Sequence, residues 1–212
     1  MRLLLVRHGQ TPANVRGELD TAAPGPGLTR LGRRQAKAIP AALATEPIAG
    51  IYGSVLVRTQ QTADPLARDR RLPVIVRPGL HEIAAGDLER HSDWPSVQRY
   101  LEVISAWGIG ELDVAMPGGS DGHEFFERID GALATIAAEH DDDATVAVVN
   151  HSAAIRVWTA ARARNIEPVY AARARLENAE IVVVTGSPAG GWQLESWGGS
   201  PPGATSLERP TT

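Results

Sequence analysis

The sequence predicts an α/β fold, a three-layer sandwich with a mostly parallel central sheet flanked by helices, on three observations. Short, uniformly apolar runs occur at Leu3 to Val6 and Thr145 to Val149, with a weaker one at Gly50 to Ser54, and each suits a strand buried on both faces. Longer segments with helical spacing lie between these runs. Two of the runs end directly in a histidine-bearing triplet, Arg7-His8-Gly9 and Asn150-His151-Ser152, at the strand ends where open α/β sheets place their ligands.

Taken in order, Leu3 to Val6 reads as a central strand, and Thr29 as the N-cap of a helix running through Ala44. Arg58 to Arg70 and Gly122 to Glu139 also carry helical spacing. Pro40 and Pro65 fall inside two of these helices, so bends or breaks are expected there. Pro78 to Gly119 is richer in Gly, Pro, Trp and charge, and reads as a partly helical excursion over the sheet's edge, suited to a lid that chooses the substrate. The expected organisation is a single domain over 1–198, with a lid at about 78–120 and a disordered polar tail over 199–212.

Composition narrows the function. The chain has 212 residues, 43% of them hydrophobic, which suffices for one sizeable core. A net charge of -4 offers no basic footprint for nucleic acid, and the local arginines near Arg68 and between Arg162 and Arg175 read first as solvated helix faces. With no cysteine, thiolate nucleophiles and cysteine-ligated metals are excluded. No run approaches a membrane span, and Leu3 to Val6 is too short for a signal-peptide core, so a soluble cytoplasmic protein is expected. A homodimer is left open.

A lone histidine at a strand end is usually a hydrogen-bonded structural residue, but His8 and His151 at the ends of two buried strands can meet in one crevice. Arg7 beside His8 makes little sense as a buried cation unless an anion occupies the site. Thr11 and Asn14, in the run Gln10-Thr-Pro-Ala-Asn14, can offer donors to that anion.

The run Leu-Val-Arg-His-Gly-Gln-Thr-Pro-Ala-Asn resembles the signature of the histidine phosphatase superfamily, also called phosphoglycerate mutase-like. Further blocks follow in the family's order: Leu28-Thr29-Arg30-Leu31-Gly32, then Ser54 through Arg58 to Ala63, then Leu80-His-Glu82, then Val-Val-Asn-His151, then Leu176-Glu-Asn178. The resemblance implies His8 as nucleophile, Arg7, Arg58 and a protonated His151 around the phosphate, and Glu82 as proton donor, with Glu89 as the alternative donor. Gln10, Thr11, Asn14, Ser152 and Asn178 are the implied substrate contacts. Ser152 stands where many members have glycine.

Such a site must hold a phosphate dianion, present a neutral imidazole nitrogen in line and protonate the departing oxygen. A histidine with an ordinary pKa of about 6.5 is largely neutral at physiological pH. The scheme needs no metal or other cofactor, and the histidines lack compact ligand spacing. His81, His91, His123 and His140 read as surface or loop residues, His91 and His123 with some claim as lid contacts to substrate.

The expected activity is hydrolysis of a small phosphomonoester, with a small phosphorylated metabolite as partner and neither nucleic acid nor membrane. A cofactor-dependent phosphoglycerate mutase is the first alternative. Such mutases carry a Glu-Arg-His-Tyr-Gly run after the proton donor, whereas this chain reads Glu82-Ile-Ala-Ala-Gly86. A non-catalytic phospholigand-binding domain is the second, and it would have little use for nucleophile, acid and arginines together.

Overall fold

The computed structural model describes residues 1–199, so the tail expected over 199–212 lies almost wholly outside the described residues. The chain order is β1 (Arg2–Arg7), α1 (Pro12–Arg16), α2 (Arg30–Ala42), β2 (Ile48–Gly53), α3 (Val57–Arg70), β3 (Val74–Val76), α4 (Trp94–Gly108), α5 (Gly122–Ala138), β4 (Thr145–Asn150), α6 (Ser152–Arg162), α7 (Pro168–Arg173), β5 (Ile181–Ser187) and β6 (Gly191–Trp197), with 3₁₀ turns at Pro78–Leu80 and Gly86–Leu88. The strands form one six-stranded sheet ordered β3-β2-β4-β1-β5-β6. β1, β2, β3 and β4 pair in parallel, while β5 and β6 run antiparallel at one edge.

The period-two geometry of a strand sorts the apolar run of β1 into the two cores. Leu3 and Leu5 join Val146 and Val148 on one face, beneath residues of α4, α5 and α6, while Leu4 and Val6 join Ala147 and Val149 on the other, against α2 and α3. Burying each such side chain stabilises the fold by about 1.5–3 kcal/mol. That is the three-layer sandwich the sequence predicts.

Pro40 and Pro65 do not break their helices: α2 and α3 run through both. Each proline forfeits one backbone hydrogen bond, at a cost of about 3 kcal/mol in a helix interior. Ile39 and Leu43 beside the first, and Ala63 and Leu66 beside the second, are buried against the sheet, and that packing holds the helices in place.

The 78–120 excursion is more firmly built in than a lid over the sheet's edge. Leu80, Ile83, Tyr100, Ile104, Trp107 and Met116 belong to the larger core, and the Tyr100 hydroxyl donates to the Ile83 carbonyl at 3.0 Å. Among the described residues no helix is long and apolar enough to cross a membrane.

Candidate active site

β1 and β4 lie side by side with Arg7 opposite Asn150, so the chain leaves both strands at the same level. The His8 amide extends the ladder by one bond, donating to the Asn150 carbonyl at 3.0 Å. The two following side chains therefore meet, with the His8 and His151 ring centroids 5.3 Å apart at 62°. This is the crevice at strand carboxyl ends that the sequence predicts.

The loop after His8 is clamped from three directions. Its Gly9 amide donates to Thr62 Oγ1 at 3.0 Å, and the same hydroxyl donates to the Arg58 carbonyl at 2.7 Å, tying the loop to α3. Asn178 Nδ2 donates to the His8 carbonyl at 3.0 Å. The first turn of α2 presses on the loop closely enough to require glycine on both sides: a Cβ on Gly9 would lie 2.6 Å from the Gly32 carbonyl oxygen, and one on Gly32 would lie 2.2 Å from that of Gln10.

His8 is 4% exposed, and its Nδ1 lies 2.8 Å from the Gly9 carbonyl oxygen. A carbonyl only accepts, so Nδ1 carries the proton and the neutral ring keeps its lone pair on Nε2. Burial, then the charges of Arg58 and Arg7, hold the His8 pKa well below 6.5. His151 is fully buried, with Nε2 at 2.8 Å from Ser54 Oγ and with Nδ1 lacking any hydrogen-bond partner among the described residues. Its pKa is also pushed well below 6.5, by burial first and by Arg58 next. The protein's own groups thus favour neutral His151, where the sequence predicts it protonated.

Arg7 and Arg58 bring the cations. One guanidinium nitrogen of Arg7 donates to the Leu176 carbonyl, and Arg58, 3% exposed, donates to the Asp20 carbonyl at 3.0 Å and approaches its carboxylate at 3.4 Å. Burial lowers both pKa values, opposed first by Glu82. Both Nε atoms are buried without a partner among the described residues. Buried donors of this kind are expensive to leave unsatisfied, at about 1–3 kcal/mol each.

Glu82, 8% exposed, reaches the first turn of α6. Its Oε1 accepts from the Ala154 and Ile83 amides, both at 2.9 Å, and its Oε2 accepts from the Ala153 amide at 3.3 Å. A carboxylate at a helix amino terminus complements the helix dipole and fixes the oxygen positions.

Arg7, His8, Arg58 and Glu82 line a cavity of about 100 Å³ together with Thr11, Asn14 and Ser152, while His151 is not among its lining residues and meets it through its contact with His8. Thr11 and Asn14 cap α1 reciprocally, each side chain accepting from the other's amide, at 3.2 and 3.0 Å. Two predicted contacts lie elsewhere. The Gln10 side chain accepts from the Thr29 hydroxyl at 2.9 Å and so ties the loop to α2, and Asn178 braces His8 from behind, donating also to Asn14 Oδ1 at 3.2 Å. Glu89, the alternative acid, is occupied at the rim, where its Oε1 accepts the Thr21 and Ala22 amides at 2.9 and 3.1 Å. His91 and His123 are turned to local partners, Ser96 at 2.8 Å and Asp113 at 3.0 Å.

Sequence reasoning missed Glu18, Asp20, Thr21 and Tyr100, which also line the cavity, and the bracing roles of Ser54 and Thr62. Ser54 and Thr62 stand inside the recognised block around Arg58, which was signal enough to ask what they hold. Tyr100 carries no local signal.

Fold and site together define a class: an α/β sandwich whose strand ends bring together two imidazoles, two guanidinium groups and a carboxylate, all but His151 lining one cavity. The model of the histidine phosphatase superfamily (branch 1) matches residues 3–199, and the chain belongs to that family. It is 42% identical over 219 residues to the PE-PGRS family protein PE_PGRS11 of Mycobacterium tuberculosis, an alignment covering 95% of this chain but only 37% of that longer relative. It is 33% identical over 161 residues to the adenosylcobalamin/alpha-ribazole phosphatase of Escherichia coli, covering 76% of this chain and 78% of the relative. Among solved structures, the mycobacterial glucosyl-3-phosphoglycerate phosphatase in complex with VO3 superposes with a TM-score of 0.79 at 27% identity, covering 94% of this chain and 99% of that one.

Proposed function

We propose that this chain hydrolyses a small phosphomonoester through a phosphohistidine on His8, and that residues 1–198 act as the one domain that does so. The observation that carries the reading is the His8 ring itself, whose Nδ1 is engaged by the Gly9 carbonyl, directing the lone pair of Nε2 to the reaction. Relatives named as phosphatases support hydrolysis as the overall chemistry.

In the first step the Nε2 lone pair attacks phosphorus and the ester P–O bond breaks, its electrons leaving on the alcohol oxygen, which takes a proton from Glu82. Arg7, Arg58 and His151 Nδ1 supply donors to the equatorial oxygens, where each such contact is worth about 2.7–4 kcal/mol of barrier. In the second step water attacks the phosphohistidine, yields a proton to Glu82 and breaks the N–P bond, releasing inorganic phosphate and neutral His8. Ser54 orients His151, and Asn178, Thr62 and Gly32 hold the nucleophile's loop.

The same reading has the protein act in the cytoplasm on a small phosphorylated metabolite. Light scattering on the purified protein decides between monomer and homodimer.

A panel of phosphorylated metabolites assayed for inorganic phosphate tests the activity. Phosphate release from a subset of the panel is expected. Conversion of 3-phosphoglycerate to 2-phosphoglycerate on addition of bisphosphoglycerate, with negligible phosphate release, would favour the mutase instead.

A further inference from the structure

The cavity's own charges pose a problem that its neighbour outside resolves. Its lining contains two guanidinium groups, Arg7 and Arg58, against three carboxylates, Glu18, Asp20 and Glu82. With Glu82 holding the proton it delivers, two cations face two carboxylates, so a phosphate dianion entering that lining alone would meet no net positive charge in a partly desolvated space, where electrostatic effects are far larger than in water. The acids at the mouth are not loosely placed: their side chains are 8% exposed for Glu18 and 5% for Asp20.

Arg90 spans both. Its Nε lies 2.5 Å from Glu18 Oε1 and its Nη1 lies 3.0 Å from Asp20 Oδ2, although its side chain is 63% exposed. Arg16 meets the other carboxylate oxygen of Glu18, and Arg58 meets the other carboxylate oxygen of Asp20 besides its carbonyl. The backbone is committed to this contact as well. Arg90 adopts a left-handed φ of 69°, a costly conformation for a residue with a Cβ. Two amide bonds hold it there, Arg90 to the Leu19 carbonyl at 2.7 Å and Leu19 to the His91 carbonyl at 2.8 Å. Burial pushes the Asp20 carboxyl upward, against the pull of Arg58 and Arg90.

We propose that Arg90, a positioning residue outside the cavity, neutralises Glu18 and Asp20 so that a phosphate dianion can enter, and that this acid-lined mouth selects esters whose alcohol part carries no further negative charge. Once Arg90 is spent on the two acids, no cation among the lining residues remains for a second anionic group on the substrate, because Arg7 and Arg58 serve the phosphoryl oxygens. Hydroxyls on the alcohol part can instead donate to Glu18 and Asp20.

Calorimetric titration with inorganic phosphate tests the first half independently of turnover. Arg90→Ala should weaken phosphate binding about tenfold, because it strips a partner from two buried carboxylates, and adding Glu18→Gln should restore most of it. Glu18→Gln alone should tighten binding by about threefold, a direction that damage to the fold would not produce. Unchanged phosphate affinity in Arg90→Ala, or weaker affinity in Glu18→Gln, would overturn the neutralising role. The second half rests on the hydrolase reading and is tested by a matched pair, glycerol 1-phosphate and 3-phosphoglycerate, which differ at one carbon by hydroxymethyl against carboxylate. The wild type should favour the first by about tenfold in kcat/KM, and Glu18→Gln should narrow the gap. Equal or better turnover of 3-phosphoglycerate would end the selectivity claim, whereas hydrolysis of neither ester together with normal phosphate binding would count against the hydrolase reading instead.

Discussion

At the floor of the site, His8, which lines the cavity, and His151, packed against its ring, stand one residue beyond two paired parallel strands, and every brace on them comes from a strand, a helix or a loop anchored to one. At the rim, Glu18, Asp20 and Thr21 lie on a loop without regular structure, held by the side chains of Glu89, Arg90 and Arg58 and by two amide bonds to residues 90 and 91. Floor positions are therefore set by the sheet register, which a single substitution does not move. Rim positions are set by charge pairs, which a single substitution can remove. Chemistry should reside in the first region, and the choice of substrate in the second.

The sharpest break between the two regions is His8→Ala, which should abolish turnover while circular dichroism shows the fold retained. The expected loss exceeds about 10⁴-fold, since His8 is the one imidazole among the described residues lining the cavity. Arg58→Ala comes next, with an expected fall of about 10²–10³-fold in kcat, read from steady-state kinetics. Because Arg58 also holds Asp20, this variant should loosen the rim too, and KM should rise with it.

Glu82→Gln should slow hydrolysis by about 10²-fold for esters with poor leaving groups and much less for aryl phosphates, whose oxyanions depart without a proton. Equal slowing of both classes would argue that Glu82 serves as a brace for α6 rather than as an acid. Glu89→Gln belongs to the rim: it keeps one oxygen for the Thr21 and Ala22 amides but turns the oxygen that accepts from the Thr21 hydroxyl into a donor, and should raise KM while leaving kcat nearly unchanged.

The smallest expected effect is on pH dependence. His8 and His151 both have pKa values well below 6.5 in the folded protein, so the unfolded chain binds protons in a range where the native state does not. Stability is then unaffected above about pH 6.5 and is lost progressively as pH falls below it, toward the depressed native values. Replacing His151 by Gln should flatten that acid limb in a denaturation series. For the same reason His8 should impose no fall on kcat/KM as pH drops through 6.5 once the rate is expressed per substrate dianion, whose own second proton binds near pH 6.

The floor was legible in the sequence because its residues sit in short runs directly after strands: Arg7 and His8 after one, His151 and Ser152 after another. The helices were legible too, Thr29 as an N-cap and Gly122 as the start of α5. Gln10 was misplaced because its neighbours Arg7, His8 and Thr11 all line the cavity, whereas the Gln10 side chain turns toward α2 to accept from Thr29. The rim was illegible because its parts are far apart in the chain. Nothing near Glu18 announces Arg90, whose partner lies across a turn formed only when residues 85 to 91 fold back on 18 to 22. The prolines misled for a related reason, since local propensity says nothing of the sheet that α2 and α3 pack against.

The central claim is that His8 carries the phosphoryl group on the nitrogen its hydrogen bond leaves free. Rapid acid-free quenching of the enzyme during turnover, followed by peptide mapping and phosphorus NMR, tests it most directly. The account predicts base-stable, acid-labile phosphate on His8, attached at Nε2. Phosphate on Nδ1, on His151 or on any other residue during productive turnover would contradict it.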